Sequence, residues 1–118
     1  MITGTGIDII ELDRIEKAGV RLARRVLTEQ ELVRYNELTG RRQVEYLAGR
    51  FAAKEAYAKA RGSGIGSSLS FQDMETGYEA GGRPTLNAAE EQGIVHVSIS
   101  HSRTFACAHV VIETVHSQ

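Results

Sequence analysis

Two spacings of apolar residues follow one another along the chain. Residues 2–10 end in the run Gly6-Ile7-Asp8-Ile9-Ile10, rich in β-branched side chains, which predicts a buried strand after a glycine-containing start. From Leu12 to about Leu27 the apolar positions recur at helical intervals, with an interruption at Gly19. Thr28 and Glu31 have the spacing of a capping box and start a second helix that runs to about Leu38, where Thr39-Gly40 stops it. Ala, Glu, Lys, Leu and Arg dominate from about Val44 to Ala60 and predict the longest helix, ended by the glycine-rich stretch 62–66. Residues 69–79 and 83–87 then predict strands joined at Gly81-Gly82, and 95–101 and 105–113 predict two more around Ser102-Arg103-Thr104. One strand, then helices, then hairpin-connected strands implies an α+β fold with a mainly antiparallel sheet. There is no internal repeat or linker, so 1–118 is expected to be a single domain.

Two carboxylates break this pattern. Asp8 lies between Ile7 and Ile9 in the apolar strand, where an ionised group is costly unless it is paired, hydrogen-bonded or bound to a metal. On the long helix, Val44, Leu47, Ala48, Phe51 and Ala58 project onto one stripe, and Glu55 falls in its middle. An i,i+4 pair with Lys59 is the structural alternative for Glu55, worth only a few tenths of a kcal/mol on an exposed face. Two inward carboxylates without a thiolate or imidazole neighbour suit a hard cation such as Mg²⁺, leaving other positions to water and phosphate oxygens.

Composition and charge narrow the classes. A chain of 118 residues buries only about two-thirds of its unfolded surface, so a deep private pocket for a large ligand is not expected. The net charge of -1 gives no general reason to bind nucleic acid or an anionic membrane, and neither is expected as a partner. That average hides an asymmetry: residues 1–61 hold 12 basic and 9 acidic side chains, residues 62–118 only 2 and 6. Arg14, Lys17, Arg21, Arg24 and Arg25 face only Glu16 in their stretch, and Arg41 and Arg42, with Arg50 beyond them, form a second group that opens and lines the longest helix. Cations at a helix start oppose its dipole and favour an anion nearby. The single Cys107 cannot form an internal disulfide, no charged-then-apolar signal segment opens the chain, and no apolar run approaches the roughly 20 residues of a membrane span, so a cytoplasmic location is expected. Cys107 reads as a small core residue. His101 ends the alternating VSISHS strand, while the serines of that strand lack the partners of a Ser-His-Asp triad. His96, His109 and His116 share no metal-ligand spacing with the two carboxylates. The stretch 62–66 matches no Walker or dinucleotide fingerprint and is either a helix stop or a loop placed to wrap a phosphorylated ligand.

Taken in order, GIDIIELDRI, FAAKEAYAKA, the following GIG, LSFQDME, VSISHS and ACAHVVIE resemble the bacterial holo-[acyl-carrier-protein] synthases, the short-chain group of 4'-phosphopantetheinyl transferases. The resemblance covers essentially the whole chain and implies a 4'-phosphopantetheinyl transferase-like fold. It implies Mg²⁺-dependent transfer of 4'-phosphopantetheine from coenzyme A to a serine of acyl carrier protein, releasing adenosine 3',5'-bisphosphate, in fatty acid biosynthesis. By the same resemblance Asp8 and Glu55 match metal ligands and Lys59 a pyrophosphate-side lysine. Arg41, Arg42 and Arg50 fall among basic residues around the coenzyme A phosphates, with His101 near the nucleotide end. Arg14, Arg21 and Arg24 fall on the surface facing the carrier protein's acidic helix, and the family implies a homotrimer with sites between subunits. Departures are a shorter stretch between Ile15 and Val26, Phe51 where Trp is common, and Cys107 where Ala is usual. The base for the carrier serine is either a metal-activated hydroxide or a carboxylate, with Glu55 or a water it orients the candidate. Two rival functions are a non-catalytic carrier-protein binder and a metal-dependent pyrophosphatase on nucleotide-linked substrates. The presence of both carboxylates and Lys59 favours the transferase over the binder, and the basic stretch 14–25 favours it over the hydrolase.

Overall fold

The computed structural model describes residues 1–115, so His116 lies outside the described residues. The elements in chain order are β1 (Ile2–Glu11), α1 (Leu12–Val26), α2 (Glu29–Glu37), α3 (Gly40–Arg61), a short 3-10 turn (Phe71–Asp73), β2 (Met74–Tyr78), β3 (Pro84–Ala88), β4 (Ile94–His101) and β5 (Phe105–Glu113). The expected α+β order is present, and every strand pair is antiparallel. The strands form two sheets: β1-β5-β4 and the separate hairpin β2-β3. The strand expected over 69–79 is shorter, because Phe71–Asp73 turns before β2 begins.

Helix α3 crosses the inner face of the three-stranded sheet and is buried along most of its circumference. Its approach to β1 is set by glycine. A Cβ at Gly4 would stand 2.0 Å from the Ala60 carbonyl oxygen, and one at Gly6 2.0 Å from that of Ala56, so only glycine on the strand and a small-residue helix face permit this spacing.

That close approach overturns the reading of GIDII as a buried strand. Gly4, Gly6, Asp8 and Ile10 share the face toward α3, whereas Ile7 and Ile9 point outward and are 65% and 63% exposed. Apolar character predicted burial for the whole run, while packing gives the inner face to the glycines, Asp8 and Ile10. Cys107 pairs with Ile9 across the sheet on the same outer face, half-buried, and is no core residue. The core draws on Leu12, Ile15, Leu47, Tyr57, Met74 and Val110, with other buried side chains from the same elements. Within α1, Gly19 adopts φ 59 and ψ -143 and kinks the helix in a region that is nearly glycine-only. No helix among the described residues is long and apolar enough to cross a membrane.

Candidate functional site

Asp8 and Glu55 meet where the second half of α3 lies on β1. Both are half-buried, and Lys59, one turn beyond Glu55, donates from Nζ to Asp8 Oδ1 at 3.0 Å and to the Ile7 carbonyl at 2.9 Å. The Glu55 carboxyl is held above the ordinary 4.5 first by burial and then by the neighbouring Asp8 charge, with the Lys59 ammonium opposing both. A like-charged, half-buried carboxylate pair is an arrangement that a divalent cation relieves. Among the described residues no group of three or more His, Cys, Asp or Glu side chains could hold a metal. Asp8 and Glu55 by themselves are two oxygen-donor side chains, too few for a closed protein cage, and a hard cation held by them would complete its shell with other oxygens.

The second cluster lies at the other end of α3. A cavity of about 430 Å³ is lined by Arg34, Arg42, Glu45, Tyr46, Arg50, Tyr78, Pro84, Ile99 and His101, among others. Arg42 lies exposed in the first turn of α3 and has no carboxylate partner among the described residues. Arg41, beside it, is tied down: Nε donates to Glu45 Oε2 at 3.1 Å, and a terminal nitrogen donates to the Arg103 carbonyl. His101 Nδ1 lies 3.7 Å from the same Glu45 oxygen. Arg50 is 5% exposed and forms the floor rather than the rim. It donates from Nε to Thr76 Oγ1 at 3.1 Å and from Nη2 to Tyr78 Oη at 2.5 Å, with its guanidinium 4.4 Å from the Tyr46 ring centroid. Burial, ahead of the surrounding charges, pushes the Tyr46 phenol up to about 12, so it stays neutral at physiological pH.

Beneath this cavity is a charged pair that the sequence reading did not find. Lys54 and Glu31 are fully buried, and Lys54 Nζ donates to Glu31 Oε1 at 2.6 Å, to the Val26 carbonyl at 2.7 Å and to the Phe71 carbonyl at 3.2 Å. The other Glu31 oxygen accepts from the Thr76 N–H at 2.7 Å and its hydroxyl at 2.6 Å. The expected capping box is present as well, since Glu31 Oε1 accepts from the Thr28 N–H at 2.9 Å. Lys54 was detectable as the one cation between Ala52, Ala53 and Ala56, where small residues mark helix surface with no room for solvent.

Arg14, Lys17, Arg21, Arg24 and Arg25 are all exposed, and none forms an ion pair among the described residues. The stretch 62–66 begins as a helix stop: the Gly62 N–H donates to Ala58 and Lys59 carbonyls and the Gly64 N–H to Ala58.

Residues 4–114 match the model of the 4'-phosphopantetheinyl transferase superfamily. A holo-[acyl-carrier-protein] synthase from Bacillus velezensis is 55% identical over 117 residues, covering 96% of this chain and 97% of the relative. Among solved structures, the synthase from Bacillus anthracis in complex with CoA (3',5'-ADP) is 53% identical with a TM-score of 0.93, covering 98% of this chain and 99% of that one. The Helicobacter pylori enzyme in complex with coenzyme A is 34% identical with a TM-score of 0.82, over 92% of this chain and 99% of that one. With a family match over nearly its whole length and relatives above half identity, the chain belongs to the 4'-phosphopantetheinyl transferase superfamily and, within it, to the holo-[acyl-carrier-protein] synthases.

Proposed function

We propose that this chain moves the 4'-phosphopantetheine arm of coenzyme A onto a serine of apo acyl carrier protein, in the cytoplasm, as a homotrimer whose sites lie between copies. The observation that carries this reading is the meeting of Asp8, Glu55 and Lys59 against β1. Asp8 and Glu55 would hold Mg²⁺, which supplies charge neutralisation for pyrophosphate oxygens. Glu55, or a water that it orients, takes the proton of the incoming serine. As the serine oxygen bonds to the pantetheine-side phosphorus, the bond from that phosphorus to the bridging oxygen breaks. Lys59 is half-exposed and stabilises the charge developing on the departing adenosine 3',5'-bisphosphate.

The cavity at the start of α3 is suited to the nucleotide end, with Arg42 and His101 at its rim, Arg50 in its floor and Arg41 bracing the adjoining turn. Arg42 and Lys59 are 17 positions apart on one continuous helix, about 25 Å along its axis, so one copy does not present both ends to one pyrophosphate. A site shared between copies removes that difficulty. The outward face of the three-stranded sheet, with Ile7, Ile9 and Phe105 exposed, supplies an apolar surface for association. Arg14, Arg21 and Arg24, exposed and without ion pairs among the described residues, are the carrier-protein contacts in this reading.

Incubation with coenzyme A, Mg²⁺ and apo acyl carrier protein is expected to add one phosphopantetheine to the carrier by mass spectrometry. Glu55→Gln is expected to lower turnover by about a hundredfold or more, the scale of a general base. Hydrolysis of coenzyme A with no addition to the carrier would instead identify the hydrolase.

A further inference from the structure

Tyr78 ends β2 opposite Pro84 and is 60% exposed, yet its side chain is fixed. Its phenol accepts from Arg50 Nη2 at 2.5 Å, and the guanidinium stands over its ring, 5.2 Å from the centroid. Arg50 is fixed in turn: Nε donates to Thr76 Oγ1, and the guanidinium stacks on Tyr46. The Thr76 hydroxyl donates to Glu31, which the buried Lys54 and the start of α2 hold in place. A chain of short contacts therefore runs from a buried ion pair to an aromatic ring left open to a cavity whose rim carries Arg34, Arg42 and His101. An exposed tyrosine normally samples several rotamers; one held at its hydroxyl and on one side of its ring offers a preformed flat surface at little entropic cost. A planar base attached to phosphates matches this combination of ring and cations.

We propose that Tyr78 determines specificity for the base of the nucleotide end, and that Thr76 and Glu31 are positioning residues acting on it through Arg50. The proposal rests on the reading that this cavity receives the nucleotide end of coenzyme A.

The test compares, by titration calorimetry, the 3',5'-bisphosphates of adenosine and of a ribose lacking any base. The unaltered protein is expected to prefer adenosine, and Tyr78→Leu to reduce that preference about tenfold, the scale of one base–aromatic stack. Tyr78→Phe keeps the ring but loses the tether, and Thr76→Val removes the acceptor for Arg50; each is expected to reduce the preference about threefold. Position 78 is exposed, so its variants test the ring without threatening the fold, which circular dichroism verifies. In turnover, Tyr78→Leu is expected to raise KM for coenzyme A about tenfold, with kcat changed less than twofold and KM for the carrier unaffected. If Tyr78→Leu still transfers phosphopantetheine with the preference of the unaltered protein, the role of Tyr78 is overturned and the transferase reading stands. An equal loss of affinity for both ligands also overturns it, because that outcome makes Tyr78 a matter of cavity shape. Failure of the unaltered protein to bind either ligand or to transfer overturns the underlying reading together with the proposal.

Discussion

Glu31 performs two tasks from one position. It closes the capping box of α2, a local arrangement visible in the sequence, and it neutralises Lys54 on another helix, which no local pattern reveals. Burial alone would raise the Glu31 carboxyl, but the Lys54 ammonium and the hydrogen bonds from Lys54, Thr76 and Thr28 outweigh it, so the group lies below its ordinary 4.5. A carboxylate depressed in the folded state contributes stability that is present above pH 4.5 and lost as pH falls through the lower folded value. Replacing it by Gln strands a buried ammonium, at a cost of about 3–5 kcal/mol near neutrality. Urea unfolding of Glu31→Gln against the unaltered protein is expected to show this full difference at pH 7 and a smaller one below pH 4.5. A pH-independent difference would mean that the carboxylate charge contributes nothing.

At the scale of elements, the joint between β1 and α3 sets the site geometry. The sequence supplied the order of elements, the kink at Gly19 and the positions of Asp8, Glu55 and Lys59, because each is written in local spacing or in a motif. It misjudged the burial of Ile7 and Ile9, which lie on the exposed side of β1. Glycine has almost no hydropathy, so nothing in the run marked Gly4 and Gly6 as a packing surface beside the inward Asp8. In the fold those glycines are the contact surface, and Asp8 faces α3 because it follows them at strand period. The Arg50 floor was equally illegible, since its partners Thr76 and Tyr78 lie on a hairpin more than 20 residues away. Gly6→Ala brings a Cβ within 2.0 Å of the Ala56 carbonyl oxygen and 2.8 Å of the Ala60 nitrogen, so strand and helix must separate. Overpacking of this kind costs about 1–3 kcal/mol. The same separation moves Asp8 relative to Glu55, and a misplacement of about 1 Å can cost about a hundredfold in rate. A fall in kcat much larger than the loss of unfolding free energy explains is the expected signature. An unchanged kcat would show that the approach serves stability alone.

At the scale of the whole chain, the proposed function separates two groups of residues that one substrate would need together. The carboxylate pair and Lys59 lie at one end of α3 and the cationic cavity at the other, while the apolar outer sheet face is left uncovered. The expectation that a small chain has no deep pocket of its own and the resemblance to an enzyme using a large cofactor are reconciled if each site is assembled from two copies. Such sharing has a consequence that a self-contained site lacks. Take Glu55→Gln, which damages the carboxylate half, and Arg42→Ala, which damages only the cavity half. Each homogeneous variant places its defect in every site. When the two are unfolded together and refolded at equal concentration, random cyclic assembly brings an intact carboxylate half against an intact cavity half in about a quarter of the sites. Phosphopantetheine transfer by the mixture, read by mass spectrometry of the carrier protein, is therefore expected to recover to about a quarter of the unaltered rate. If both halves of a site belong to one copy, every site in the mixture carries a defect, and the rate remains at the average of the two variants.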